Sequence, residues 1–214
     1  MPIFFKIQPP GTCIVDTMNF ISRCIEKHRR RKEAKALLRR VELLVQKEQE
    51  RQRYEYQQRN FRVGNEFEDY VIRMFDPRRF ELIHRTPTNR DTGGKFVSSM
   101  AYPDLRFKEI STGKTFWVEV KYRSHTEEKG SITWCSYGQL LNYKMAMHVS
   151  NEPVFVVIGL GGNTHDPDKI FTVNLERLYY TKLYYRMYAS KRLYFKRITS
   201  LNQLLYISQL SFNK

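Results

Sequence analysis

The first quarter of the chain has the pattern of one long helix. Neither glycine nor proline occurs from Thr12 to Val63, and from about Thr17 to Gln58 the chain consists mainly of Glu, Lys, Arg, Gln, Leu and Ala, which favour helices. Apolar residues recur in this stretch at helical spacing, at Ile21, Ile25, Leu37, Leu38, Val41, Leu44 and Val45. The heptad pattern holds for only about two repeats, so it supports a coiled coil weakly. Gly64 is expected to break or reset this helix.

After Gly64 the pattern alternates between helix and strand. A second helix is predicted over residues 65–75, where Asp76 and Pro77 end it. Strands are predicted at residues 80–85, 104–110, 115–122, 153–160 and 169–173. A further helix is predicted at residues 136–149, and a Tyr-rich helix is predicted to begin after its cap, Asn174, and to end at about residue 190. Residues 86–100 have loop composition, and residues 193–210 have no secure assignment. This order predicts an α/β fold with a mixed central sheet flanked by helices, plus the long N-terminal helix.

Three segments follow from this division. Residues 1–60 form a basic helical extension, residues 61–175 form the core, and residues 176–214 form a Tyr-rich basic extension that packs on the core. Basic residues among the tyrosines of the last segment suit phosphate binding and base stacking. Tyrosines at helical spacing are more often packing residues, and that interpretation is favoured for most of them.

Charge and composition narrow the choice of partner and compartment. The 214 residues carry 37 Lys and Arg against 22 Asp and Glu, a net charge of +15, which predicts a polyanionic partner. No apolar run approaches the ~20 residues needed to span a bilayer, so no membrane association is expected. The three cysteines are an odd number without metal-like spacing, which favours a reducing, cytoplasmic location. Residues 61–130 hold 13 basic and 11 acidic side chains, so this region is acid-rich within a basic protein.

Carboxylates of that acid-rich region fall on two adjacent predicted strands. If the strands form a hairpin in which opposing residue numbers add up to 225, Asp104 lies opposite Lys121 and Arg106 opposite Glu119. Asp104, Glu119 and Lys121 then share one face, and the other face receives the apolar set Leu105, Phe107, Phe116, Val118, Val120 and Tyr122. Two converging carboxylates favour a bound divalent cation with oxygen ligands, Mg²⁺ or in substitution Mn²⁺. The competing interpretation is a hairpin with exposed charges in weak surface salt bridges.

A third carboxylate precedes these strands. Glu68 shares its helical stripe with Val71, Ile72 and Phe75, whereas Glu66 lines up closer to solvent. Glu68 is therefore chosen as the acid directed toward the sheet, although a boundary position that reaches water fits the spacing nearly as well.

These residues together resemble the PD-(D/E)XK nuclease superfamily, which includes restriction endonucleases and archaeal Holliday junction resolvases. The resemblance covers residues 61–175 and rests on Gly64-x-x-Phe67-Glu68, Pro103-Asp104, Glu119-Val120-Lys121, the helix Tyr137 to Tyr143 with Gln139, and the strand PVFVVIGL at 153–160. It implies metal ligation by Asp104, Glu119 and the Val120 carbonyl, with Lys121 as the catalytic lysine, Glu68 as an accessory acid and Gln139 lining the site. The implied core is restriction-endonuclease-like.

The leading hypothesis is a Mg²⁺-dependent (endo)deoxyribonuclease, a hydrolase acting on double-stranded or branched DNA by attack of metal-activated water, with endonucleolytic and exonucleolytic cleavage both open. Phosphate contacts are assigned to the cluster Arg29, Arg30, Arg31 and Lys32 and to Arg123, although that cluster is equally well explained as a solvated helix face. A non-catalytic nucleic-acid-binding or protein-docking module that retains the nuclease fold is the alternative. A homodimer formed through the N-terminal helix is a further hypothesis.

Overall fold

The computed structural model describes residues 12–87, 102–188 and 197–208. The predicted loop at 86–100 lies almost entirely outside these residues. The chain divides into two compact units, residues 1–58 and residues 59–214. Among the described residues, no helix combines the length and the apolar character needed to cross a membrane.

The first helix, α1, runs from Thr12 to Met74 without interruption. The predicted break at Gly64 is therefore wrong. A glycine inside a helix costs only about 1 kcal/mol relative to alanine. The turns that follow bury Phe67, Val71 and Met74 completely or nearly so, and this tertiary packing outweighs the local cost.

The second unit is built on a mixed five-stranded sheet, as the sequence predicted. Its strands are β1 (Phe80–Arg85), β2 (Leu105–Glu109), β3 (Thr115–Arg123), β5 (Val154–Leu160) and β6 (Lys169–Asn174). They lie in the order β1-β2-β3-β5-β6. Of the four pairs of neighbouring strands described in this sheet, β3 and β5 pair parallel and the other three pairs are antiparallel. Helix α2 (Tyr137–Ser150) lies in the connection between β3 and β5. Two short strands, β4 (Ile132–Thr133) and β7 (Lys182–Leu183), pair with each other outside this sheet.

Each face of the sheet is covered by its own apolar cluster. The C-terminal end of α1 and helix α4 (Leu201–Ser208) pack on one face, and α2 packs on the other. The Phe67 ring of α1 lies against β5 at Gly159, where an added Cβ would come within 2.5 Å of the far end of the ring. Gly159 is therefore required for the close approach of helix and sheet.

The hairpin between β2 and β3 differs from the predicted register by two residues. Phe107 pairs with Phe116 and Arg106 with Trp117, so the predicted pairs Asp104–Lys121 and Arg106–Glu119 are wrong. The turn spans Ile110 to Gly113, so the centre of the turn lies one residue earlier than predicted. Gly113 adopts a φ of +69°. A shift of two leaves the alternation of faces unchanged. The predicted apolar set does pack in one cluster, on the face that α1 covers.

The predicted Tyr-rich helix after Asn174 is also wrong. Asn174 caps only a three-residue 3-10 turn, Leu175–Arg177, and is followed by β7 and a one-turn helix, α3 (Tyr185–Tyr188). The buried residues of this segment are Leu175, Leu178, Leu183 and Tyr188. Their spacing of three, five and five residues does not form one helical stripe, so an irregular path buries them better than a continuous helix.

Candidate functional site

The candidate site lies where β2 begins, beside the middle of β3. Asp104 immediately precedes β2, and the neighbouring backbone is held against the end of β1 by two hydrogen bonds from Thr86. The Thr86 N–H donates to the Asp104 carbonyl at 2.7 Å, and its hydroxyl donates to the Pro103 carbonyl at 2.7 Å. Pro103 has no N–H to satisfy in this position. The Asp104 carboxylate is thereby directed along β3, where its Oδ2 accepts from the Val120 N–H at 2.8 Å.

The Val120 carbonyl belongs to the same corner. Within a strand, the N–H and C=O of one residue leave the backbone on the same side. Because the Val120 N–H reaches Asp104, the Val120 carbonyl also leaves β3 on the side of Asp104. A main-chain oxygen and a carboxylate therefore lie on one side of β3, as the expected ligand set requires.

Glu119 is the most buried acid of the site. Its side chain is fully buried on the face that α2 covers, where its Oε1 accepts from the Tyr143 hydroxyl at 2.6 Å and forms an ion pair with the Lys121 Nζ. No donor among the described residues reaches the buried Oε2. Burial and the nearby charge of Asp104 raise the pKa of Glu119 to about 8, although Lys121 and Tyr143 oppose this shift.

Lys121 is held as a cation. Burial by itself lowers the pKa of Lys121, but the negative charges of Glu119 and Asp104 outweigh that effect and raise it above its ordinary value. A lysine that retains its proton stabilises negative charge and does not accept a proton. For Lys121, charge stabilisation therefore fits better than general-base catalysis.

Glu68 approaches the same group from α1. Its side chain is 13% exposed, against 34% for Glu66, and Arg85 donates to its Oε2 at 3.0 Å. Burial and the charge of Asp104 raise the pKa of Glu68 to about 7, whereas Arg85 and Lys121 lower it. Asp104 and Lys121 act on the pKa of Glu68 and also on that of Glu119, so these four residues form one electrostatically coupled cluster.

Two residues outside the predicted set support this cluster. Arg85, at the end of β1, bridges Glu68 and the exposed Asp69. Tyr143, on the buried side of α2, is the residue of that helix that reaches Glu119; burial and the Glu119 charge raise its pKa, so its hydroxyl stays protonated and donates. The sequence carried a partial signal for Tyr143, because it lies in the helix that bears Gln139.

The structure gives four other predicted site residues local partners. Gln139 is exposed and forms a capping box with Ser136, its Oε1 accepting from the Ser136 N–H at 3.0 Å. Arg123 donates to the carbonyls of Tyr122, Thr133 and Trp134. In the predicted phosphate cluster, Arg29 and Arg30 pair with Glu26 along the exposed surface of α1. Their assignment to substrate contacts stays a prediction.

The donor set suits a hard divalent cation. It comprises two carboxylates and a main-chain carbonyl, and Glu119 presents a buried oxygen that lacks a hydrogen-bond donor in the described part of the chain. Groups of three or more His, Cys, Asp or Glu side chains arranged for a metal are not found within residues 12–87, 102–188 and 197–208. A cation held by fewer side chains would complete its coordination with water, as Mg²⁺ usually does.

No protein-family model matches this chain, and no curated protein matches it.

Proposed function

We propose that the chain is a Mg²⁺-dependent nuclease with a restriction-endonuclease-like core that hydrolyses phosphodiester bonds of DNA. The observation that carries the proposal is the convergence of Asp104, Glu119 and Lys121 on one corner of the sheet, with the Val120 carbonyl on the same side. Carboxylates and carbonyl oxygen are the ligands that Mg²⁺ prefers. The net charge of +15 and the resemblance to PD-(D/E)XK nucleases support DNA as the substrate.

Each residue has a role that follows from its environment. Asp104, Glu119 and the Val120 carbonyl would hold the cation, which when bound polarises a phosphoryl oxygen and lowers the pKa of bound water. Lys121 remains charged and stabilises the negative charge that develops on the phosphate during attack. Glu68, with a pKa near 7, can exchange a proton at neutral pH, which suits an accessory acid.

One observation favours the non-catalytic alternative. Lys121 and Tyr143 already satisfy Glu119 Oε1, and such a buried pair is also found as a purely structural feature. A nucleic-acid-binding module that retains the nuclease fold would keep this pair without using it. The two functions differ in whether DNA is cut.

A DNA cleavage assay separates the two functions. Purified protein is incubated with supercoiled, linear, single-stranded and branched DNA, with Mg²⁺ or with EDTA. We expect cleavage with Mg²⁺ only, and its loss in Glu119→Gln, which replaces the ionisable carboxyl by an amide without changing the shape of the side chain. Glu81→Gln, at an exposed position of β1, is the matched control and should cleave as the wild type does. DNA binding without cleavage by the folded wild type would identify the non-catalytic module.

A further inference from the structure

One face of α1 carries opposite charges at its two ends, on either side of an apolar centre. Residues spaced alternately by four and three positions lie on one side of a helix. On α1 these are Arg23, Lys27 and Arg30, then Ala34, Leu37, Val41 and Leu44, then Glu48, Arg51 and Glu55. All ten side chains are exposed. The face therefore passes from basic through apolar to mainly acidic over residues 23–55, and we call it the seam.

We propose that the seam pairs with the same seam of a second copy of the chain, in antiparallel orientation. In the register where opposing residue numbers add up to 78, the seam maps onto itself. Leu37 then faces Val41, and Ala34 faces Leu44. A surface that is complementary to itself is what a twofold symmetric dimer needs.

The charges at both ends fit the same register. Arg30 faces Glu48, and Arg23 faces Glu55, each pair occurring twice by symmetry. Lys27 faces Arg51, but Arg51 already pairs within its own helix with Glu48 at 2.7 Å and Glu55 at 3.5 Å, which offsets the repulsion. Opposite charges beside an apolar seam determine the orientation of paired helices.

The overall charge distribution selects the antiparallel orientation. Residues 23–40 carry nine basic and two acidic side chains, a net charge of +7. Residues 41–58 carry three basic and four acidic side chains, a net charge of −1. A parallel pair would place the two +7 halves side by side. The antiparallel pair places each of them beside a −1 half, which removes most of the repulsion.

Nucleic acid is a poorer occupant of the seam. Its apolar centre offers no donor to phosphate, and Glu48 and Glu55 would repel a polyanion. Arg29, Arg31 and Lys32 lie off the seam, so the dimer leaves them accessible for phosphate contacts.

Charge reversal on the full-length chain tests the pairing. Sedimentation equilibrium should show a reversible dimer for the wild type. Arg30→Glu and Glu48→Arg should each weaken dimerisation by about tenfold or more, because each creates two like-charged contacts. The double variant restores opposite charges and should dimerise as the wild type does. Glu50→Arg is the matched control, because it makes the same charge change as Glu48→Arg off the seam, where Glu50 accepts a hydrogen bond from Gln46 of its own helix. It should leave dimerisation nearly unchanged.

A label at the exposed native Cys24 tests the orientation. With Cys13→Ser, and with Cys135 buried, a spin label at Cys24 reports one distance between the two copies. The antiparallel register separates the two labels by 30 helical residues, or about 45 Å at about 1.5 Å per residue, whereas a parallel pair brings them to about 10 Å. A monomeric wild type, a double variant no better than the single ones, or a short distance between the labels would each overturn the proposal. If a monomeric chain instead loses duplex binding on Leu37→Asp, the seam belongs to nucleic acid.

Discussion

The hydrogen bond from Tyr143 to Glu119 offers a sharp test of the buried carboxylate. Tyr143→Phe removes only the hydroxyl that donates to Glu119 Oε1 at 2.6 Å and leaves the buried ring in place. With the pKa of Glu119 at about 8, the carboxyl is mostly ionised at pH 9 and mostly protonated at pH 6. The hydrogen bond that the variant lacks therefore matters more at pH 9.

The size of the effect follows from the charge of the acceptor. A hydrogen bond to a charged group contributes about 1.5–3 kcal/mol to stability, and one between neutral groups about 0.5–1.5 kcal/mol. Tyr143→Phe should thus lower the free energy of unfolding by about 1 kcal/mol more at pH 9 than at pH 6. Because the folded-state pKa of Glu119 is raised, this carboxyl makes the protein less stable as the pH rises from the pKa of Glu119 in the unfolded chain toward 8. The variant should extend that decline to higher pH, since the pKa rises further.

Urea unfolding followed by circular dichroism, with EDTA present, measures the free energy of unfolding at pH 6 and at pH 9. Tyr137→Phe is the matched control, because Tyr137 lies on the same helix and is 69% exposed. Its effect should stay within about 0.5 kcal/mol at either pH. An equal loss of stability in Tyr143→Phe at both pH values would refute the assigned charge state of Glu119.

Three further predictions address the metal, the packing and the N-terminal region. Calorimetry should show Mg²⁺ affinity rising by about fiftyfold between pH 6 and 8, because Glu119 must lose its proton to bind metal; an affinity independent of pH would contradict this. Gly159→Ala should cost about 1–3 kcal/mol in thermal unfolding, since the new Cβ meets the Phe67 ring, whereas Gly64→Ala has open space and should not destabilise. Deleting residues 1–58 should flatten the salt dependence of duplex binding by about 0.9 in log–log slope for each phosphate that this region neutralises; an unchanged slope in a folded truncation would exclude a DNA-binding role for the region.

The alternation of faces in β2 and β3 was predictable from the sequence, but their register was not. Alternation depends only on whether a residue number is odd or even, so the set with Phe107, Phe116 and Val118 stays together under a shift of two. The register depends on which residues close the turn. Gly113 adopts its positive φ at the last position of that turn, which composition alone does not indicate.

Long-range packing explains the remaining differences. Gly64 interrupts the helical pattern locally, yet the burial of Phe67 and Val71 beyond it keeps α1 continuous. The hydrogen bond between Tyr143 and Glu119 joins residues 24 positions apart and depends on how α2 lies on the sheet. Asp104, Glu119 and Lys121 could be grouped because two adjacent strands carry them. Arg85 could not, since its partner Glu68 lies on a separate helix.

The most direct test of the proposed active site measures Mg²⁺ binding and DNA cleavage in the same preparations of wild type and Lys121→Ala. The wild type should bind Mg²⁺ and cleave DNA. Lys121→Ala should bind Mg²⁺ at least as tightly, because a neighbouring positive charge is removed, and should not cleave. Cleavage by folded Lys121→Ala at the wild-type rate, or a folded wild type that neither binds Mg²⁺ nor cleaves, would contradict the account.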